Sequence, residues 1–270
     1  MDAVRYDYEG QAPIAIMGGV YGNVPALQAC LEDALAMNAG LCAFLGDMIG
    51  FCGHSDETVA LVKSHFQVVI AGNREQNAAR GVQSCGCGHA DAQDEKYGCM
   101  AHQYSLHSLC AANAQWFGAL PEKAIIQTGL GNVLLCHGSP DQINEFLYED
   151  RLGNDRLESW LWAYDAVGMA CTHTGFPWIR QIDGKRFAVN CGSLGKSDND
   201  GDPAVHYALL QPDSGTYRIE IRRVEYDHLA WAAQLTREGV DPVFVTPIRT
   251  GKWTFGVPRW TAGGKRVYST

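Results

Sequence analysis

Ile14-Ala15-Ile16-Met17-Gly18-Gly19-Val20-Tyr21-Gly22-Asn23 is the stretch whose reading decides the fold. Four apolar residues that end in paired glycines read as a buried strand breaking into a tight turn. A helix is expected next. Asn23 can cap it, Pro25 falls in its first turn, and Leu27, Cys30, Leu31 and Leu35 recur at helical spacing until Asn38-Ala39-Gly40 ends it. The unit then repeats: residues 41–45 read as a strand, 46–53 as a loop, and 55–66 as a helix with Asp56 and Glu57 in its first turn. Val68-Val69-Ile70 reads as a third strand running into Ala71-Gly72-Asn73-Arg74-Glu75. Strands and helices alternating at this length imply parallel pairing, with a ligand site at the carboxyl ends of the strands, where these loops emerge.

The second half changes character. Residues 132–136, 167–171, 187–190, 207–210 and 217–224 read as strands with fewer helices between them, so a second sheet is expected. Helices are expected at 101–117, 156–164 and 228–238, and the tail 241–270 reads as irregular. The class is therefore α/β, a two-sheet mixed β-sandwich flanked by helices. With 270 residues, 46% of them hydrophobic, the chain can bury one substantial core. A single domain over 1–270 is expected, with its core at about 14–212, an insertion at 80–103 and a C-terminal extension at 213–270.

The formal charge of -9 argues against nucleic-acid and anionic-lipid partners, both of which need clustered Lys and Arg. The expected partner is a small molecule, with homo-oligomerisation left open. No apolar run is long enough to cross a bilayer, and residues 1–11 are acidic and polar, unlike a signal peptide, so the expected location is cytoplasmic. Ten cysteines in such a chain are then expected to be mostly reduced. Cys30, Cys42, Cys136, Cys171 and Cys191 lie in apolar or periodic stretches and read as small buried hydrophobes.

The polar residues that end the strands carry the chemistry. Asp47 follows Leu45-Gly46, Asn73 follows Gly72, His137 follows Leu134-Leu135-Cys136, and His173 follows Ala170-Cys171-Thr172. A carboxylate, an amide oxygen and two imidazoles on one sheet edge suit Zn, Mn or Fe, with room for a water or a phosphate oxygen. Taken singly, a strand-terminal Asp or Asn is usually a turn former. Four together are harder to dismiss.

Gly19-Val20-Tyr21-Gly22-Asn23, Gly46-Asp47, Gly72-Asn73-Arg74-Glu75, His137-Gly138, Thr172-His173-Thr174-Gly175 and Gly192-Ser193-Leu194-Gly195 follow, in order, the motifs of the calcineurin-like metallophosphoesterases. The chain resembles that family over residues 14–212, which implies its four-layer fold and a site for phosphate-ester hydrolysis. The resemblance assigns one metal to Asp47, Asn73, His137 and His173, all present as ligand types. It assigns the other metal's own ligands to Gly19, Tyr21 and Gly175, where only a phenol remains. One transition-metal ion (Zn, Mn or Fe) is therefore expected instead of two, although Tyr21 or Cys52 could serve as an unconventional ligand. The family's His after Gly-Asn is Arg74 here. An arginine does not donate its proton at neutral pH, but it can hold a phosphate bidentately and stabilise a developing anion. Arg74 and Tyr21 are thus the candidate catalytic residues; the competing reading of Arg74 is a surface ion pair with Glu75 or a nearby Asp.

Cys85-Gly86-Cys87-Gly88-His89, with Cys99 and His102, forms a second constellation in the insertion. Cys85, Cys87, Cys99 and His102 have the softness for a structural Zn. They can equally be a redox pair, or a Gly-rich loop whose thiols fill space over the site. Two functions are carried forward. The first is a phosphoesterase acting on a small phosphate ester through a one-metal site. The second is a non-hydrolytic relative that binds a phosphorylated ligand or a protein partner.

Overall fold

A computed structural model describes residues 3–89 and 91–255, together with the strand pair Arg259–Trp260 and Arg266–Val267. The opening strand is β2 (Ile14–Met17), preceded by an edge strand β1 (Val4–Tyr8). Helix α1 (Val24–Ala36) follows, capped by the Asn23 side chain, which accepts from the Ala26 amide. Next come β3 (Leu41–Phe44), α2 (Ser55–His65), β4 (Val68–Val69) and a short helix α3 that opens at Asn73 (Asn73–Ala79).

Strands β10 (Val205–Asp213) and β11 (Thr216–Val224) return to this half of the molecule and complete a five-stranded sheet in the order β11-β10-β2-β3-β4. Its β2-β3-β4 part is parallel, and β10 joins it antiparallel. The second sheet adds β5 (Lys123–Thr128), β6 (Gly131–Cys136), β7 (Ala166–Cys171), β8 (Trp178–Gln181) and β9 (Phe187–Asn190), in the order β1-β5-β6-β7-β9-β8. It is also mixed, with β6-β7-β9 parallel.

The period-two alternation of the strands builds the layers. Ile14, Ile16, Leu45, Ala208 and Leu210 face Ile126, Val133, Leu135, Phe187 and Val189 between the two sheets. Ala15, Met17, Phe44 and Leu209 point the other way, onto Leu27 and Cys30 of α1 and Val59 and Val62 of α2. On the far side, Leu134, Cys136 and Met169 pack on Leu157, Trp160 and Leu161 of α6 (Asn154–Ala163). Helix, sheet, sheet and helix give the four layers expected from the sequence.

Three regions differ from expectation. Residues 101–117 are not one helix but the end of α4 (Ala92–Leu106) and all of α5 (Ala111–Phe117). Helix α4 starts well before residue 101, capped by Asp91, and its buried face is Asp94, Gly98, Ala101, His102 and Ser105. That face is small and polar, so it leaves no apolar period in the sequence. The tail is not irregular throughout: after α7 (His228–Arg237), α8 (Pro242–Thr250) is capped by Asp241 and carries Pro247 inside it, a residue that ordinarily marks a break. The rest of the tail reading, residues 256–258, 261–265 and 268–270, lies outside the described residues. Strands β1, β5 and β8 also went unread; β1 and β8 are the outer strands of their sheet. No helix among the described residues is long and apolar enough to cross a membrane.

Candidate metal centre

Gly46 and Gly72 bring two loops together at the carboxyl ends of the parallel strands. Gly46 has φ +88, and a Cβ there would lie 2.1 Å from the Gly72 amide nitrogen, so the residue before Asp47 must be glycine. The Glu75 carboxylate ties the same loops by accepting from the amides of Asp47 at 2.7 Å, Met48 at 2.8 Å and Gly72 at 2.8 Å. Glu75 therefore does not pair with Arg74, and sequence reading missed its role as organiser of these loops. Asp47, His173 and Tyr21 all hold positive φ, at 61°, 60° and 53°. Strain of this kind costs about 1–3 kcal/mol per residue and persists only where surrounding structure enforces it.

Asp47, Asn73, His137 and His173 converge. His137 Nε2 lies 3.0 Å from His173 Nδ1, 3.1 Å from Asn73 Oδ1 and 3.4 Å from Asp47 Oδ1. Each ligand is anchored from behind. His137 Nδ1 is 2.6 Å from the Leu45 carbonyl oxygen, His173 Nε2 is 3.3 Å from that of Cys87, and Asn73 Nδ2 donates to that of Cys85 at 2.7 Å. With the outer ring nitrogens facing carbonyls, each imidazole carries its proton there and turns a lone pair inward; Asn73 likewise turns its oxygen inward. Two lone pairs, an amide oxygen and a carboxylate packed this closely repel unless a cation sits among them, which is the arrangement of a metal site. The donor set fits Zn, Mn or Fe.

The electrostatics divide the two imidazoles. Burial would raise the Asp47 carboxyl, but His137 and Arg74 beside it hold it well below the usual range. Burial, and then the neighbouring His137, push His173 down to about 3, leaving it neutral. Burial alone would lower His137, and Asp47 reverses that, raising it above its ordinary value.

The positions that the resemblance gives to the other metal's ligands look different. Gly19 and Gly175 offer no side chain, and a Cβ at Gly175 would meet the Lys196 side chain at 3.8 Å. Tyr21 is buried and hydrogen-bonded to Asp47; burial and then that carboxylate raise its pKa, so it remains a phenol. Arg74 is buried as well, against the surface ion pair considered for it: its Nε lies 3.7 Å from Asp47 Oδ2 and its guanidinium carbon 5.3 Å from the Tyr21 ring centre. Cys52 is fully buried among apolar residues and burial pushes its thiol far up, which suits packing over ligation.

Cys85, Cys87, Cys99 and His102 do not form one cluster. Cys87 turns into the main site, where its sulfur lies 3.6 Å from Asn73 Nδ2 and 3.7 Å from Arg74 Nη2. His102 is spent on the Val82 carbonyl, at 3.0 Å from Nε2. Cys85 and Cys99 gather with Glu95, whose place one turn before Cys99 on α4 the sequence reading did not weigh. The structural Zn expected there would need that revised ligand set.

A cavity opens beside the quartet, lined by Asp47, Arg74, Lys196, His173 and Cys87 and walled by Phe51, Phe146, Trp253 and Phe255. Trp253 and Phe255 come from the C-terminal extension and pack on Phe51 and on each other. A crystal structure of a metallophosphoesterase from Sphaerobacter thermophilus superposes with a TM-score of 0.69 at 25% identity, covering 90% of this chain and 100% of that one. The chain belongs to the calcineurin-like metallophosphoesterase superfamily. A hypothetical protein of Pyrococcus horikoshii shares the fold of this chain, with a TM-score of 0.72 at 18% identity over 90% of this chain and 100% of its own. By sequence, an uncharacterised protein of Methanocaldococcus jannaschii is 24% identical over 232 residues, covering 79% of this chain and 88% of that protein. No protein-family profile matches this chain.

Proposed function

We propose that this protein is a phosphoesterase that hydrolyses a small phosphate ester through one metal ion held by Asp47, Asn73, His137 and His173. The observation that carries this reading is the convergence of four donor atoms, each tied so that its lone pair faces the same point. A bound metal supplies Lewis-acid chemistry, polarising a phosphoryl oxygen and activating water as a nucleophile. Arg74 contributes positive charge where the anion develops, and the Tyr21 phenol and Glu75 hold Asp47 and its loop in place. Phe51, Phe146, Trp253 and Phe255 wall the cavity, and such an apolar lining lowers the local dielectric and strengthens these interactions. The insertion supplies Cys87 and Gly98 to the cavity, and the extension supplies Trp253 and Phe255. That shared wall supports reading the chain as one unit.

Metal content per chain and turnover on a panel of phosphomonoesters and phosphodiesters test the proposal. One metal per chain and hydrolysis that disappears in Asp47→Ala are expected. Turnover in metal-loaded protein that Asp47→Ala leaves unchanged overturns it. The absence of ligand side chains at Gly19 and Gly175 favours a second reading, a relative that binds a phosphorylated ligand without hydrolysing it. That reading expects phosphate to raise the melting temperature with no turnover, and it fails if His137→Ala abolishes a measurable hydrolysis.

A further inference from the structure

Two cations, Arg74 and Lys196, line the cavity beside the metal quartet; among the described residues one carboxylate, Asp47, lines it with them, and the buried Asp94 carboxylate acts on Lys196 from nearby. Arg74 is buried, yet its Nε and Nη1 have no hydrogen-bond partner. Buried guanidinium N–H groups cost several kcal/mol unless an acceptor satisfies them. Lys196 comes to the same cavity from the Gly-Ser-x-Gly segment. Its Nζ lies 5.4 Å from the Trp253 ring centre and 5.8 Å from that of Phe176, within cation–π range of both rings. Its stem runs past Gly175, where a Cβ would lie 3.8 Å from the Lys196 Cδ.

We propose that Arg74 and Lys196 form a seat for the terminal phosphoryl group of a dianionic phosphate monoester. This rests on the phosphoesterase reading for its substrate, though the seat itself can be tested without turnover. Arg74 offers the donors of its unpartnered Nη1 to a phosphoryl oxygen, while its Nε lies 3.7 Å from Asp47 Oδ2 and its Nη2 3.7 Å from Cys87 Sγ, and Lys196 adds a second full charge that a diester monoanion does not need. Two organic cations so placed supply the positive charge that glycines at positions 19 and 175 cannot recruit through a second metal.

The test is calorimetric titration of the metal-loaded protein with inorganic phosphate and with dimethyl phosphate at pH 7. Wild type is expected to bind inorganic phosphate at least tenfold more tightly than dimethyl phosphate. Lys196→Met should lose at least tenfold in phosphate affinity and bring the two ligands within threefold of each other, while Lys196→Arg stays within threefold of wild type. Metal content and melting temperature are read on each variant. Wild-type affinity for phosphate in a folded Lys196→Met, or equal wild-type binding of the diester, overturns the proposal. Should Lys196→Met not fold, reductive methylation of the wild-type protein decides: phosphate should slow modification of Lys196, and unchanged modification overturns the seat. Phosphate bound through Lys196 by a protein with no turnover keeps the seat and removes the hydrolase.

Discussion

On one side of the cavity His137, His173, Asn73 and Asp47 turn electron pairs toward a single point; on the other, Arg74 and Lys196 turn positive charge toward the same space. The first side is anchored by backbone carbonyls and by strained, positive-φ residues, so it is built before any ligand arrives. The second rests on one buried side chain with unsatisfied donors and one long side chain held by aromatic rings. Gly19 and Gly175 offer no side chain here, and the cavity is lined instead by Arg74 and Lys196.

The largest expected effect breaks the first side alone. His137→Ala should take the metal at this centre from one per chain to none by elemental analysis, and turnover with it. A metal that survives this change would locate a second site, for which Cys85, Glu95 and Cys99 are the gathered ligands. Next, Arg74→Lys keeps the charge but loses the fork. Turnover should fall about 100-fold, the cost of losing one well-placed donor, with metal content unchanged; an equal loss of metal would show that the two sides are not separable.

A smaller effect sharpens the second side through pH. Burial, chiefly, lowers the Lys196 amine to about 8; Asp94 and Cys87 act to raise it and Arg74 to lower it further. The ammonium is charged below that value and lost above it. Phosphate affinity measured by calorimetry and referred to the dianion should therefore fall about tenfold between pH 7 and pH 9, and Lys196→Arg should remove the fall.

The smallest effect is a control far from both sides. Arg222 pairs with Asp33 at 2.9 Å, both sides of the pair about three-quarters buried, and Tyr207 donates to Asp33 at 2.7 Å. The Arg222 hydrogen bond holds the Asp33 carboxyl below its usual range. That stability is present above the unfolded carboxylate's pKa and lost as pH falls through the lowered folded value. Arg222→Met should cost about 1 kcal/mol at pH 7, less as the solution is acidified, and leave metal and phosphate binding intact. Chemical denaturation at several pH values reads it.

The sequence by itself determined the layered fold and the convergence of Asp47, Asn73, His137 and His173 on one sheet edge, because both follow from local rules. Apolar runs of period two make strands, glycines permit the tight loops after them, and the polar residue at each strand end must then face the shared edge. What only the tertiary structure decided lies where partners are distant in sequence. Glu75 as organiser of three amides, Cys87 in the main site instead of a cysteine cluster, Glu95 beside Cys85 and Cys99, and Lys196 with Trp253 in the cavity wall each depend on segments folded against one another. Helix α4 shows the reason most simply: its buried face is polar and small, so no periodicity could announce it, and only packing reveals what it covers.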